Sequence, residues 1–379
     1  MKVLFAGGGT AGHINPGLAI ASYVKEKEPD SEILYVGNKG AMEETLVKKA
    51  GLPFEGIRIS GFSRKRNLTG LKENFLTIKR LITSIVKSKQ ILKNFKPDFC
   101  IGTGGYVCGP VLWQASKMGI PIFLHEQNAF PGVTTRLLSK KAKCVFLGML
   151  DANKHLDKNC KTKYVGNPVR KEIIMAVKST ARKILGLDER PVVLSFGGSL
   201  GAEKINRAIL GLILNSTKTN EIQHIHAYGK YGKWFIPALN EKGVNLHVHK
   251  NLYIKEYLDN MPVCLASADL VICRSGAISL SELAVQGKPA ILVPSPNVTA
   301  NHQYFNAKSL SDRMAAVLLE EKSLTSENLI KITKKLLQNK DKLKELKNNI
   351  AKLAVVDSSE KIFNTIKNEI FSYSKITRI

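Results

Sequence analysis

Short runs of apolar, often β-branched residues alternate with helix-period segments along the first half of the chain. Val3–Ala6 precedes a helical pattern from about Gly12, and Ile33–Val36 precedes another over Met42–Ala50. Phe99–Ile101, Pro121–Leu124 and Cys144–Leu147 follow, separated by helical patterns from about Gly109 and through Thr134–Leu138. Unbroken runs this short read as strands buried on both faces, and their alternation with helices predicts a parallel sheet covered on either side. The rhythm restarts beyond Gly166-Asn167-Pro168. Val192–Phe196, Ile222–Ala227, Leu246–His249, Leu270–Cys273 and Ala290–Val293 read as strands, and a Lys-rich tail from about Ser326 reads as two helices broken near Val356–Ser359.

The expected fold class is α/β, with two Rossmann-like, doubly wound parallel-sheet domains whose strand ends face a cleft. Proline keeps the residue before it out of the helical region, so Lys163–Lys171 is the expected hinge. The domains are then residues 1–165, residues 166–350, and a C-terminal helix over 351–379 that returns to the first domain. At 379 residues and 44% hydrophobic content the chain can bury two cores of ordinary size.

No run approaches the ~18 apolar residues of a membrane helix, and the opening segment meets glycines before a signal core can form, so a cytosolic chain is expected. The six cysteines show no metal-finger spacing and no CxxC pair, which argues against a disulfide framework and a zinc site. A net charge of +26 predicts attraction to anionic lipid, phosphorylated substrate or nucleic acid, or reflects a Lys-rich habit spread over the surface. Its distribution sharpens the picture. From Arg58 to Lys96 there are eleven Lys or Arg against the single acid Glu73. Within it Leu71, Phe75, Ile78, Ile82 and Ile85 recur at helical spacing beside Lys72, Lys79, Lys87 and Lys89, as in a helix resting on an anionic leaflet or one turning an apolar stripe to a core.

Three glycine-rich turns each join a strand to a helix: Gly7-Gly-Gly-Thr-Ala-Gly12, Gly102-Thr-Gly-Gly-Tyr-Val-Cys-Gly109, and Gly197-Gly-Ser-Leu-Gly201. Glycines there let backbone N–H groups and a helix N-terminus approach phosphate. A dinucleotide-binding dehydrogenase would add an acid at the end of the second strand, but that strand ends Val36-Gly37-Asn38. Two turns in one domain and one in the other suggest a cleft lined by helix N-termini that meets more than one phosphate group, and two diphosphates would fit.

Taken with Gly7–Gly17, Gly102–Pro110, His125-Glu-Gln-Asn128, Gly166-Asn-Pro-Val-Arg170, Phe196–Ala202, Cys273–Ala277 through Glu282, and His302-Gln303 with Asn306-Ala307, these turns resemble the MurG family of peptidoglycan glycosyltransferases. The resemblance spans nearly the whole chain in the family's order. It implies the two-domain GT-B fold and an inverting transfer of N-acetylglucosamine from UDP-N-acetylglucosamine to a lipid-linked muramyl-pentapeptide, at the cytoplasmic face of the membrane. The expected partners are the anionic membrane surface, met by residues 58–96, and cell-wall synthesis proteins. The resemblance further implies that the second domain holds the donor, through Asn128, Arg170, Ser199, Leu258, Arg274, Ala277, Glu282, His302 and Gln303. Among these Glu282 takes the ribose, Leu258 flanks the uracil and Gln303 reads the sugar. Gly9, Thr10, Gly12, Gly104, Gly105 and Tyr106 would meet the acceptor diphosphate, and His13 would be the general base. Ala11 stands where the family usually has glycine and Leu200 where glutamine is common, while His302 occupies a place that holds glutamine in some relatives and histidine in others; none of these removes a group that the chemistry requires.

An imidazole titrating near ~6.5 in water suits the base, with Glu126 as the alternative carboxylate. No D-x-D pair offers a divalent ion to a nucleotide, and the third turn's amides could meet the leaving-group charge, so neither an obligatory metal nor a tightly bound cofactor is expected. A UDP-sugar epimerase or another glycolipid transferase of the same architecture is the rival within enzymes. The chain lacks the zinc spacing, RNP-like aromatic strand and basic recognition helix of a nucleic-acid protein, so nucleic acid is not an expected partner.

Overall fold

The computed structural model describes residues 1–61 and 67–371, apart from the side chains of 68–73 and 371. The chain forms two compact units, one comprising Met1–Pro168 with the chain from Asp357 onward, the other Val169–Val356. In the first unit, strands β1 (Lys2–Ala6), β2 (Glu32–Asn38), β3 (Phe54–Ile57) and β4 (Phe99–Gly102) are joined by β5 (Ile122–Glu126), β6 (Cys144–Leu147) and β7 (Thr162–Tyr164). They make one parallel sheet in the order β3-β2-β1-β4-β5-β6-β7. Its helices are α1 (Ala11–Lys27), α2 (Met42–Lys49), α3 (Leu68–Phe95), α4 (Cys108–Lys117) and α5 (Val133–Leu138).

The period of two explains why these strands are unbroken apolar runs. Val3, Phe5, Ile33, Tyr35, Phe99 and Ile101 point to one face, where Ile20 and Val24 of α1 cover them together with Ile362 and Ile366 near the C-terminus. Leu4, Ala6, Leu34, Val36, Cys100 and Ile122 point to the other, against Ile91 and Leu92 of α3 and Val111 and Leu112 of α4. Each large side chain so buried contributes about 1.5–3 kcal/mol.

The second unit begins with α6 (Lys171–Met175) and α7 (Lys178–Leu185), then β8 (Val192–Phe196), α8 (Glu203–Thr219), β9 (Gln223–Ala227) and α9 (Phe235–Glu241). It continues through β10 (Leu252–Lys255), α10 (Met261–Ser267), β11 (Leu270–Cys273), α11 (Ala277–Val285), β12 (Ala290–Leu292), α12 (His302–Ser311) and β13 (Val317–Leu318). The sheet is parallel in the order β10-β9-β8-β11-β12-β13. The chain ends in α13 (Ser326–Gln338), α14 (Lys340–Ala351) and α15 (Ser358–Phe371). Helix α15 lies on α1 of the first unit, with Tyr23 and Phe363 edge to face at 5.8 Å and Lys367 on Glu28 at 2.7 Å.

Two expected elements are corrected. Leu246–His249 is a turn, not a strand: the Asn245 carbonyl accepts from the N–H groups of Val248 and His249, and its side chain accepts from His247 N–H at 2.8 Å. The strand follows at β10. The tail holds three helices rather than two, because Asn339 leaves helical geometry (φ −98°, ψ 87°) and its side chain caps α14 through Lys342 N–H at 2.9 Å.

Each sheet reverses direction once, between β1 and β4 in the first unit and between β8 and β11 in the second. Open parallel sheets leave a crevice at such a reversal, outside the strands' carboxyl ends. All three glycine turns leave strands that flank these reversals.

Candidate active site

The first and second turns leave adjacent strands and pack on each other. Gly8 N–H donates to Gly104 O at 3.2 Å, and Thr103 N–H to Ala6 O at 2.9 Å. A Cβ on Gly105, at φ +84°, would lie 2.3 Å from Gly8 O, so only glycine lets the two backbones approach this closely. The buried Cys108 thiol ties the turns together, accepting from Gly104 N–H at 3.2 Å and donating to Ala6 O at 2.9 Å. Burial pushes this thiol up to about 12, which suits a brace rather than a nucleophile.

The structure narrows which amides can meet a phosphate. Gly7 N–H is committed to Val36 O, Gly8 N–H to Gly104 O, and Gly9 N–H to the buried carboxylate of Glu43 at 3.3 Å. Thr10, Ala11 and Gly12, in the outward-facing first turn of α1, have no backbone partner for their N–H groups among the described residues. Those are the donors left to an anion at the first turn. Glu43 was not legible as part of the site.

His13 is the third residue of α1, and its Nδ1 lies 3.0 Å from Gln127 Oε1. Gln127 Nε2 lies 2.9 Å from Thr103 O, 2.9 Å from His125 O and 3.0 Å from His125 Nδ1; His125 Nε2 lies 3.1 Å from Gly166 O. His125 is fully enclosed, and desolvation lowers its pKa to about 4. The alternative base, Glu126, is also buried, and its carboxylate accepts from Asn128 N–H at 3.1 Å, Asn128 Nδ2 at 3.2 Å and Gly132 N–H at 3.0 Å. Three donors on two oxygens make Glu126 the clamp of the loop after β5. They orient Asn128 as well.

In the second unit the third turn follows β8. The Ser199 and Leu200 carbonyls accept from Lys230 and Tyr231 N–H at 3.1 and 3.0 Å, and Gly201 N–H donates to Gly198 O at 2.9 Å. The exposed amides of Gly198, Ser199 and Leu200 have no backbone partner among the described residues. Across the reversal, Ser275-Gly276 opens α11, whose first residue is the buried Ala277. Ser275 donates to Gln303 O at 2.8 Å, while Gln303 Oε1 accepts from Ser295 N–H at 2.9 Å, which commits the side chain's oxygen and leaves Nε2 as its donor.

Glu282 of α11 faces the Arg170 guanidinium at 3.2 Å. Burial raises the Glu282 pKa, and Arg170 opposes that shift by holding the carboxylate charged. His302, at the start of α12, donates to Thr299 O at 2.8 Å, and Leu258 is buried in the segment after β10. Arg274 sits differently from a free ligand contact. It donates to Val293 O and Pro294 O at 3.2 and 3.1 Å and pairs with Glu321, which makes it a brace for the loop after β12.

Helix α3 carries apolar residues on both of its sides. Inward, Leu81 packs on the core beside the buried Thr77, Ser84 and Ser88, and Ile91 and Leu92 follow, whereas Phe75 and Val86 are 72% and 65% exposed and Ile78 and Ile82 lie outward with them. Ile85 is half-buried, and Lys79 and Lys89 are exposed. Arg64-Lys65-Arg66 and the side chains of Leu71 and Lys72 fall outside the described residues. No helix among the described residues is long and apolar enough to cross a membrane.

Residues 3–147 match the glycosyltransferase family 28 N-terminal domain, and residues 192–362 match the glycosyltransferase family 28 C-terminal domain. A Ruminiclostridium cellulolyticum protein named UDP-N-acetylglucosamine–N-acetylmuramyl-(pentapeptide) pyrophosphoryl-undecaprenol N-acetylglucosamine transferase is 44% identical over 371 residues, covering 98% of this chain and 100% of that one. The protein of the same name from Acetivibrio thermocellus is 42% identical over 369 residues, 97% of this chain and 98% of that one. The crystal structure of Acinetobacter baumannii MurG shares the architecture, with a TM-score of 0.77 and 26% identity over 97% of this chain and 99% of that one. With its two parallel sheets of seven and six strands in the two-domain, Rossmann-like GT-B fold, the chain belongs to glycosyltransferase family 28 and, within it, to the MurG family of N-acetylglucosamine transferases.

Proposed function

We propose that the chain transfers N-acetylglucosamine from UDP-N-acetylglucosamine to the 4-hydroxyl of undecaprenyl-pyrophosphoryl-N-acetylmuramyl-pentapeptide, with inversion. Beside the family relationship, one observation carries the assignment of sites: each unit presents uncommitted amides at the reversal of its own sheet, Thr10–Gly12 in the first and Gly198–Leu200 in the second. Two reactants each bearing a diphosphate need two such sites.

In this reading the first unit takes the acceptor diphosphate at Thr10, Ala11 and Gly12, with Gly9, Gly104, Gly105 and the exposed Tyr106 shaping the approach. The second unit takes UDP-N-acetylglucosamine. Ser199 and its neighbouring amides meet the diphosphate, Glu282 the ribose hydroxyls, Gln303 Nε2 the sugar, and Leu258 and Ala277 the apolar surroundings of the nucleoside. Arg170 holds Glu282 ionised, Asn128 is set by Glu126, and His302 and Arg274 fix the backbone around Gln303. His13 Nε2 receives the acceptor hydroxyl proton as the oxygen bonds to the anomeric carbon. The bond from that carbon to the diphosphate oxygen breaks, UDP leaves with the electron pair, and imidazolium later returns its proton to solvent. Fixed amides at the third turn meet the charge growing on UDP without requiring a metal.

The outward apolar side of α3 with its lysines supports a peripheral seat on the anionic cytoplasmic face of the membrane, where the lipid substrate resides. Purified chain incubated with labelled UDP-N-acetylglucosamine and a lipid-linked muramyl-pentapeptide analogue should yield labelled disaccharide lipid. Hydrolysis or epimerisation of the donor without transfer would overturn the assignment.

A further inference from the structure

The hydrogen bonds behind His13 admit one arrangement of protons. Gly166 O only accepts, so His125 Nε2, at 3.1 Å, carries the proton and donates. His125 stays neutral in its buried site, which leaves Nδ1 as an acceptor. The group 3.0 Å from that nitrogen must then be a donor, and it is the Gln127 amide nitrogen, which also faces the acceptor-only carbonyls of Thr103 and His125 at 2.9 Å. Turning the amide over would set its oxygen against two carbonyl oxygens and a ring lone pair. Gln127 Oε1 is therefore directed at His13 Nδ1 at 3.0 Å, where only a donor satisfies it.

We propose that Gln127 is a positioning residue that locks His13 in the Nδ1–H tautomer, leaving the lone pair of Nε2 for the acceptor hydroxyl. This rests on the reading of His13 as the base and adds what makes it one. A free neutral imidazole carries its proton mostly on Nε2, the wrong nitrogen for that task. Gln127 is 2% exposed and His125 1%, so water does not compete for the bonds that orient the Gln127 amide, while His13 itself is half-buried. The Gly166 carbonyl that anchors the chain is itself held, accepting from Ser358 Oγ at 2.9 Å. A row of four groups thus runs from Gly166 through His125 and Gln127 to His13, every member with its direction set by the carbonyl at its end.

The test is the ¹⁵N ring signature of His13 in the ligand-free protein, measured by long-range proton–nitrogen correlation. Wild type should show the Nδ1–H tautomer. Gln127→Met, close in shape but unable to accept, should show predominantly Nε2–H and lose about tenfold to a hundredfold in kcat, with UDP-N-acetylglucosamine affinity unchanged. An Nε2–H tautomer in wild type, or an Nδ1–H tautomer persisting in Gln127→Met, would overturn the proposal, and the wild-type spectrum decides it even if the variant misfolds. The base reading is decided separately by the kcat of His13→Ala: full activity there would sink that reading whatever the ring spectra show.

Discussion

Gly104→Ala perturbs His13 without touching its own side chain. Gly104 has φ +110°, and a Cβ built there lies 2.5 Å from His13 Nδ1 and 2.8 Å from Cε1. An ordinary contact begins near 3.4 Å, so the ring must retreat by roughly 0.9 Å, the difference between the two distances. A shift of that size disturbs the alignment of the ring with Gln127, 3.0 Å from its Nδ1. Misplacing a reacting group by ~1 Å costs about a hundredfold in rate. The backbone conformation adds about 1–3 kcal/mol of strain for an L-residue, a loss of a few degrees in Tm that leaves the protein folded. The assay is transfer of labelled N-acetylglucosamine to the lipid acceptor, with calorimetric titration of UDP-N-acetylglucosamine as a check on the second unit. The expected outcome is kcat lower by on the order of a hundredfold at unchanged donor affinity. Gly109→Ala, whose Cβ meets no atom within 4 Å, serves as the control and should hold kcat within a fewfold. A folded Gly104→Ala enzyme with wild-type kcat would refute the reasoning.

Three further outcomes are expected. Glu282→Ala removes hydrogen bonds to a charged acceptor worth about 1.5–3 kcal/mol, so KM for the donor should rise about tenfold to a hundredfold with little change in kcat; a kcat effect at constant KM would contradict that placement. Burial depresses the His224 and His226 pKa values to about 3, far below the ~6.5 of an unfolded chain. The unfolded state therefore binds more protons as the pH falls below ~6.5, and the second unit should lose roughly 2 kcal/mol per histidine by pH 5, the loss growing until the folded values are reached. Urea unfolding at pH 7 and pH 5 measures it, and equal stabilities would be the contrary result. Phe75→Ser with Ile82→Ser should weaken binding to anionic vesicles while sparing titrated donor affinity; intact vesicle binding would return α3 to a purely internal role.

The strands that flank each sheet reversal were legible because two-sided burial makes them continuous apolar runs, as in Val3–Ala6 and Leu270–Cys273. Leu246–His249 alternates apolar and polar residues as a half-buried strand would, but the capping side chain of Asn245 bends it into a turn, an outcome that periodicity cannot register. Strands β7 and β13 are three and two residues long, too short to carry a pattern. At the site, glycine spacing located the turns, whereas the loss of the Gly7–Gly9 amides depends on Val36, Gly104 and Glu43, which only the fold brings there. Gln127 lay inside a motif already noticed, between two residues given roles. Its own role needs partners from β1's helix, β4's turn and β5 at once. Helical spacing revealed the stripe on α3 but not its side; the inward Thr77, Ser84 and Ser88 decide that.

The claim beneath all of this is that each unit holds one diphosphate on the free amides at its own sheet reversal. Backbone amide shifts of the isotope-labelled protein, followed first with UDP and then with a short-chain polyprenyl diphosphate, test it directly. UDP should move Gly198, Ser199 and Leu200 and spare Thr10, Ala11 and Gly12, and the polyprenyl diphosphate should do the reverse. Both ligands moving the same set, or neither moving Thr10–Gly12, would contradict it.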